Sequence, residues 1–415
     1  MLGLPADKCF DRFGRFGPYG FGYDSSAGGS GVGINTEKWG SEDVWGPNGQ
    51  IDYQAIDEME GLKWGRVQNQ CYEENKIRFE TNASISQPGL SKSILPRTAV
   101  VIRSWTGFEW NNQTILNFRA MINELSLNSG GEYTVHILLH VKDLAIPIWA
   151  DEKIYQEVIQ YTVPEEFWDI VTLWSEKYME VIYTTPFGAP FENPSGSGIH
   201  GSYRSLHMPL QWFAHQHPEY EYFWNLEMDM RYTGHYYELL DRISQWSKEQ
   251  PRAGLWERSA KYYIPALHGS WDDFTKLVES ENKENEYTSF NRKKYWLGQP
   301  LDFPGRQWLK GEVGNRPPSC SGESNSSLCG VGEEADLITL NPIFDPLNSG
   351  WVLANDITGY NTSLPIPPRR NVIVAAGRLS KKLLNIMHQE MIQFGHSAFT
   401  EMFPPTIALH HGLKA

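Results

Sequence analysis

Glu227 and Asp229 stand one residue apart at the end of the run Tyr220-Glu-Tyr-Phe-Trp-Asn-Leu-Glu-Met-Asp-Met-Arg231. The run is rich in aromatic and apolar residues and reads as a buried strand. Strand side chains at i and i+2 point the same way, so the two carboxylates share a face. Hard oxygen ligands of this kind form half of a site for Mg²⁺ or Mn²⁺. At the mouth of an α/β sheet, such a site suits a nucleotide diphosphate. The same triplet also fits a strand that simply leaves the core, with Arg231 pairing Asp229.

Elements able to present the pair lie on either side of it. Thr98-Ala-Val-Val-Ile-Arg103 is a β-branched run after Pro96 and predicts a strand. Asn112–Leu127 carries a helical stripe of Ile115, Phe118, Ile122 and Leu125, closed by Gly130-Gly131. Tyr133–Val141 reads as a second strand, Ile154–Phe167 as a helix, and Ile170–Trp174 as a short strand. Tyr203–His217 reads as a helix, and Glu221–Leu226 as the strand that delivers the acidic pair. This alternation predicts a mostly parallel sheet with helices on both faces. Ligands of such sheets bind beyond the carboxyl ends of the strands, where Arg103, Asp143 and the Glu227/Asp229 pair all fall. Beyond Gly234 an amphipathic helix carries Tyr237, Leu240, Ile243 and Trp246. Residues 251–370 are loop-rich and aromatic, the composition of a variable substrate-binding half. Arg378–Phe394 predicts a late helix, and the C-terminal apolar run predicts a strand. Ala27–Gly33 is glycine-rich but lacks the last glycine of G-x-G-x-x-G and a preceding strand, so it is not a dinucleotide loop.

The chain has 415 residues and a formal net charge of -14, with a pI near 5.4. That balance argues against nucleic acid or an anionic membrane as the main partner. An anionic substrate then needs local help from Arg, Lys or a metal. The 16 Trp residues are mainly core material, yet such rings also suit a sugar cleft.

Four cysteines, none in C-x-x-C spacing, suggest two disulfides, Cys9–Cys71 and Cys320–Cys329, formed in an oxidising compartment. Free thiols in a cytoplasmic enzyme are the alternative. N-x-S/T occurs at Asn82, Asn112, Asn325 and Asn361, with Asn325 inside the Cys320–Cys329 loop. These features point towards a secretory, Golgi-like lumen. There is no transmembrane run or signal peptide, so the expectation is either a lumenal fragment whose membrane anchor lies outside this chain or an intact soluble protein.

The runs Cys9-Phe-Asp-Arg-Phe-Gly-Arg-Phe-Gly-Pro-Tyr-Gly20, Trp174-Ser-Glu, Glu227-Met-Asp-Met-Arg-Tyr-Thr-Gly-His-Tyr-Tyr237, Gly254-Leu-Trp-Glu-Arg258, His268-Gly-Ser-Trp-Asp-Asp-Phe274, Gly332-Glu-Glu-Ala-Asp-Leu337 and Ala408-Leu-His-His-Gly412 carry a family resemblance. Together they resemble a fungal family of uncharacterised glycosyltransferase-like proteins, largely classed as a domain of unknown function. The resemblance spans residue 9 to the end. Its members are similar in outline to GT-A nucleotide-sugar glycosyltransferases. That implies a GT-A-like, Rossmann-type, mixed and mostly parallel sheet with a loop-rich acceptor half. It also implies a D-x-D motif and a divalent cation, Mn²⁺ or Mg²⁺. Here the motif is E-x-D, which makes Asp229 the safer metal ligand and lets Glu227 serve either metal or ribose.

On that resemblance, residues 1–95 form an N-terminal extension, 96–235 the nucleotide-sugar half, and 236–415 the acceptor half with a C-terminal metal-site segment. The implied donor is a UDP- or GDP-sugar, and the acceptor a hydroxyl of a glycan, glycoconjugate or metabolite. A cation bridging Asp229 and two phosphates acts as a Lewis acid on the leaving diphosphate. His410 or His411 completes its shell. Arg103 and Arg204 are the candidate phosphate forks. Asp143 is placed to accept from base or ribose, or to cap the following segment. An inverting enzyme also needs a general base. The acidic clusters containing Asp272, Asp273 and Glu334 offer one, or else charge helix N-termini. A glycoside hydrolase with two carboxylates and a sugar-binding protein without activity are the competing classes.

Overall fold

The protein is described by a computed structural model that covers residues 12–24, 29, 31, 51, 61–80, 94–252, 264–284, 300–312, 320, 328–346, 349–373 and 376–415. Cys9, Asn82, Asn325 and Gly254–Arg258 lie outside the described residues. The strands are β1 (Thr98–Trp105), β2 (Tyr133–His140), β3 (Val171–Trp174), β4 (Tyr222–Glu227), β5 (Leu337–Thr339), β6 (Ile357–Thr358), β7 (Ala376–Ser380) and β8 (Ser397–Ala398). Six of them form one mixed sheet in the order β3-β2-β1-β4-β7-β5, and β6 pairs with β8. β1 and β2 pair in parallel, as do β2 and β3, while β5 and β7 run antiparallel. This is the mostly parallel α/β class that the sequence predicts.

The chain divides into two compact units. The first holds residues up to Trp174 together with Glu219–Tyr222 and Leu226–Ile243. Residues 99–102 of β1 are all buried, as expected for a strand covered on both faces. The helix Asn112–Met121 starts where the Asn111 side chain accepts the Thr114 N–H at 3.0 Å, an N-cap. It continues as a wider π-helical turn over Ile122–Leu127. Glu221 N donates to Arg97 O at 2.8 Å, and Arg103 bonds Glu227 at the other end. Both pairs are offset by the same number of residues, so β4 runs parallel to β1.

The second unit holds Ser175–Pro218, Phe223–Asn225 and Ser244–Ala415. Its helix Lys381–Phe394 packs on the helices His207–Gln216 and Phe403–His410. Two expectations fail here. Arg378 and Leu379 belong to β7 and not to the late helix, because Ser380 caps that helix by accepting the Leu383 N–H at 3.0 Å. The C-terminal apolar run is a helix, Phe403–His410, with Pro404 and Pro405 in its first turn, where proline lacks no bond.

Cys320 and Cys329 are bridged, as the sequence suggests. The Cys9–Cys71 pairing is not present: Cys71 is a free thiol whose sulfur lies 3.8 Å from Leu127 O. Among the described residues no helix is long and apolar enough to cross a membrane.

Candidate functional site

The chain lays down β1, β2 and β3 in one direction in the first unit and returns on the other side of β1 with β4, whose two ends, Tyr222 and Leu226–Glu227, belong to that unit. Strand order therefore reverses between β1 and β4, and ligands of open α/β sheets bind at the carboxyl ends of such a pair. Arg103 near the end of β1 and Glu227 at the end of β4 meet there. The Arg103 Nη2 donates to Glu227 Oε1 at 2.8 Å, and Glu227 remains 41% exposed. The Nε of Arg103 is buried and has no hydrogen-bond partner among the described residues. Burial pulls the Arg103 pKa down, opposed by Glu227 and by the nearby charge of Asp229. Asp229 itself is exposed, in the turn that leaves β4. Asp143, beyond the carboxyl end of β2, is exposed and accepts the Ala145 N–H at 2.9 Å.

The turn after β4 is anchored by residues that the sequence reading missed. Tyr236, the first residue of the next helix, donates its N–H to Glu124 Oε2 at 2.9 Å and its hydroxyl to Asn117 Oδ1 at 2.5 Å. Arg15 and Tyr19 hold the same Glu124 carboxylate. No local signal marks these residues, because their partners lie more than a hundred positions away in sequence. Tyr19 and Arg15 do fall inside one of the family-like runs.

The remaining candidates belong to the second unit. Arg204 is fully buried and its Nε donates to Asp356 Oδ1 at 2.6 Å. His410 is buried with Nε2 2.7 Å from Pro368 O. His411 lies between two carboxylates, with Nδ1 2.9 Å from Glu312 and Nε2 2.8 Å from Glu390. Burial alone lowers a histidine pKa, but these two carboxylates raise that of His411. An imidazole that donates from both nitrogens has no lone pair for a metal. Asp273 accepts the N–H and hydroxyl of Ser270, whose own hydroxyl accepts the Asp273 N–H, a reciprocal cap on the helix Trp271–Glu284. Asp272 stands exposed in the same first turn. Glu334 pairs with Lys248 at 3.0 Å and Arg378 at 3.3 Å.

Among the described residues no group of three His, Cys, Asp or Glu side chains is arranged to hold a metal ion. The described residues therefore offer no three-ligand set for a resident metal.

The chain matches none of the curated proteins. Among solved structures it resembles the mannosyltransferase Ktr4p from S. cerevisiae, at 10% identity over 88% of this chain and 82% of that one, with a TM-score of 0.25. The same mannosyltransferase in complex with GDP matches at 9% identity over 88% and 83% of the two chains, with a TM-score of 0.27. Similarity this distant says nothing of chemistry. A family model described as "Protein of unknown function (DUF3405)" matches residues 9–415, and the chain belongs to that family.

Proposed function

We propose that the protein is a glycosyltransferase that takes its donor as a nucleotide-sugar diphosphate complexed with Mn²⁺ or Mg²⁺. The observation that carries this reading is the meeting of Arg103, Glu227 and Asp229 at the carboxyl ends of β1 and β4, where strand order reverses. The guanidinium of Arg103 is aimed by Glu227, and its Nε has no hydrogen-bond partner among the described residues, so the fork keeps donor capacity for a phosphate oxygen. Asp229, exposed two residues beyond, is the carboxylate that meets the donor's cation. The cation supplies Lewis-acid neutralisation of the leaving diphosphate. Asp143 accepts from a ribose or base hydrogen on the same edge.

Glu334 and Asp273 already hold partners in the second unit, so the reading draws no acceptor base from them. His410 and His411 are likewise left out of the cation's shell, because their ring nitrogens serve Pro368, Glu312 and Glu390. The Cys320–Cys329 bridge supports a location in an oxidising, secretory compartment. Asn361, exposed at a turn, is then open to N-glycosylation.

A panel of UDP- and GDP-sugars, screened by thermal shift with Mn²⁺ and with EDTA, tests the reading. One nucleotide is expected to raise the melting temperature only with the cation present. Stabilisation by free glycans without any nucleotide contradicts it and favours a hydrolase or a sugar-binding protein.

A further inference from the structure

We infer that Tyr236 and Asn117 form a clamp that positions the Asp229 turn, so that the donor site is built before the donor arrives. The clamp's role rests on the donor-site reading above; its geometry does not. The turn leaves β4 at Glu227 and enters the helix Tyr236–Glu249. β4 fixes its first end, and Tyr236 fixes its second.

The phenol of Tyr236 donates to Asn117 Oδ1 and accepts the Tyr232 N–H at 3.3 Å. The amide of Asn117 reaches back to Met230 O at 3.4 Å. One phenol and one amide thus tie the turn to the helix Asn112–Met121 at two backbone points that flank Arg231. Asn117 is 1% exposed and Tyr236 0%, so water does not compete for these bonds. Burial lifts the Tyr236 pKa to about 12, which keeps the hydroxyl protonated and able to donate. Glu124, two helical turns beyond Asn117, holds the Tyr236 N–H and is itself fixed by Arg15.

Gly234 completes the arrangement. A Cβ built there comes within 2.8 Å of the Tyr232 ring, so the ring lies against a backbone that only glycine leaves bare. Free turns pay conformational entropy when a ligand orders them. A turn already tied at both ends avoids that cost and presents Asp229 in place.

Tyr236→Phe is the selective probe. It keeps the ring and the backbone bond to Glu124, and removes only the hydroxyl that joins Asn117 to Tyr232. Gly234→Ala is a second probe that displaces the Tyr232 ring without removing a hydrogen bond. Hydrogen exchange and Mn²⁺–nucleotide titration are measured on both variants and on the wild type, with the melting temperature as a control.

Both variants are expected to speed amide exchange across residues 228–235 roughly tenfold while leaving β1 and β2 protected. In Tyr236→Phe nucleotide affinity is expected to fall roughly five- to tenfold, the loss expected for one hydrogen bond. Unchanged exchange in the turn of both variants overturns the clamp. Unchanged affinity alongside loosened exchange overturns its positioning role. Faster exchange in the variants of a wild type that binds no cation–nucleotide upholds the clamp and strikes the donor-site reading instead.

Discussion

Arg103 Nη2 lies 2.8 Å from Glu227 Oε1, so a single ion pair links the carboxyl ends of two neighbouring parallel strands. The pair is asymmetric. Arg103 is 14% exposed and Glu227 41%, so the guanidinium is the buried partner and the carboxylate faces solvent. A guanidinium held in this way keeps its charge and gains a fixed orientation.

Substitutions at the two residues should therefore differ. On the proposed donor site, Arg103→Gln removes a charge-assisted contact to the diphosphate, worth about 1.5–3 kcal/mol, and should weaken cation–nucleotide binding roughly ten- to a hundredfold. Glu227→Gln keeps an acceptor for Arg103 and should weaken binding far less. Calorimetric titration checks the order, and equal losses at the two positions contradict the roles assigned.

The Glu390 network predicts how stability varies with pH. Burial alone raises the Glu390 pKa, but hydrogen bonds from His396 and His411 outweigh it and hold it at about 2, against an ordinary 4.5. A depressed carboxylate stabilises the fold above its unfolded value and loses that contribution as pH falls towards 2. His411 is raised above its ordinary 6.5, so its contribution is full below 6.5 and fades as pH rises through the higher folded value. The contribution of this network should therefore be greatest between about pH 4.5 and about pH 6.5, while the buried His207, His388 and His410, whose pKa values burial lowers, favour the fold less as pH falls below 6.5. Glu390→Gln should cost about 3 kcal/mol, because it takes the carboxylate from buried His396 and leaves His411 only Glu312. The difference in melting temperature between wild type and Glu390→Gln, scanned from about pH 3 to about pH 9, checks both statements.

The Cys320–Cys329 bridge closes a short loop, with a sequence separation of 9. Chain entropy assigns such a loop about 2–3 kcal/mol. The backbone beside it is also occupied: Cys329 O accepts the Arg252 N–H at 2.7 Å, and Gly330 O accepts Lys414 Nζ at 2.9 Å. Reduction, or paired replacement by serine, should lower the melting temperature and raise amide exchange near Arg252 and Lys414. A bridge that can be reduced with neither effect contradicts this role.

The central strands were legible because local chemistry and tertiary position agree. Thr98–Ile102 is β-branched and fully buried, Gly130-Gly131 does end the helical segment, and the spacing of Glu227 and Asp229 marks a strand terminus. Misreadings arose where one signal hid another. The strand β7 runs into its helix without a break, so Ser380 as cap is the only boundary. Thr406 and Ile407 suggest a strand, but two prolines in the first turn favour the helix observed. Even cysteine counting paired Cys71 with Cys9, although a count carries no geometry. Contacts between distant residues, such as Arg103 with Glu227 or Asn117 with Tyr236, leave no periodic trace and appear only in three dimensions.

Titration of wild type and Asp229→Asn with Mn²⁺ plus the stabilising nucleotide addresses the donor site most directly. Asp229 is exposed, so the variant should keep its melting temperature within about 1 kcal/mol of stability. The account predicts one-to-one binding by the wild type that needs the cation, and a loss of at least roughly tenfold in the variant, the size of one charge-assisted contact. Equal, cation-independent binding by both proteins would contradict it.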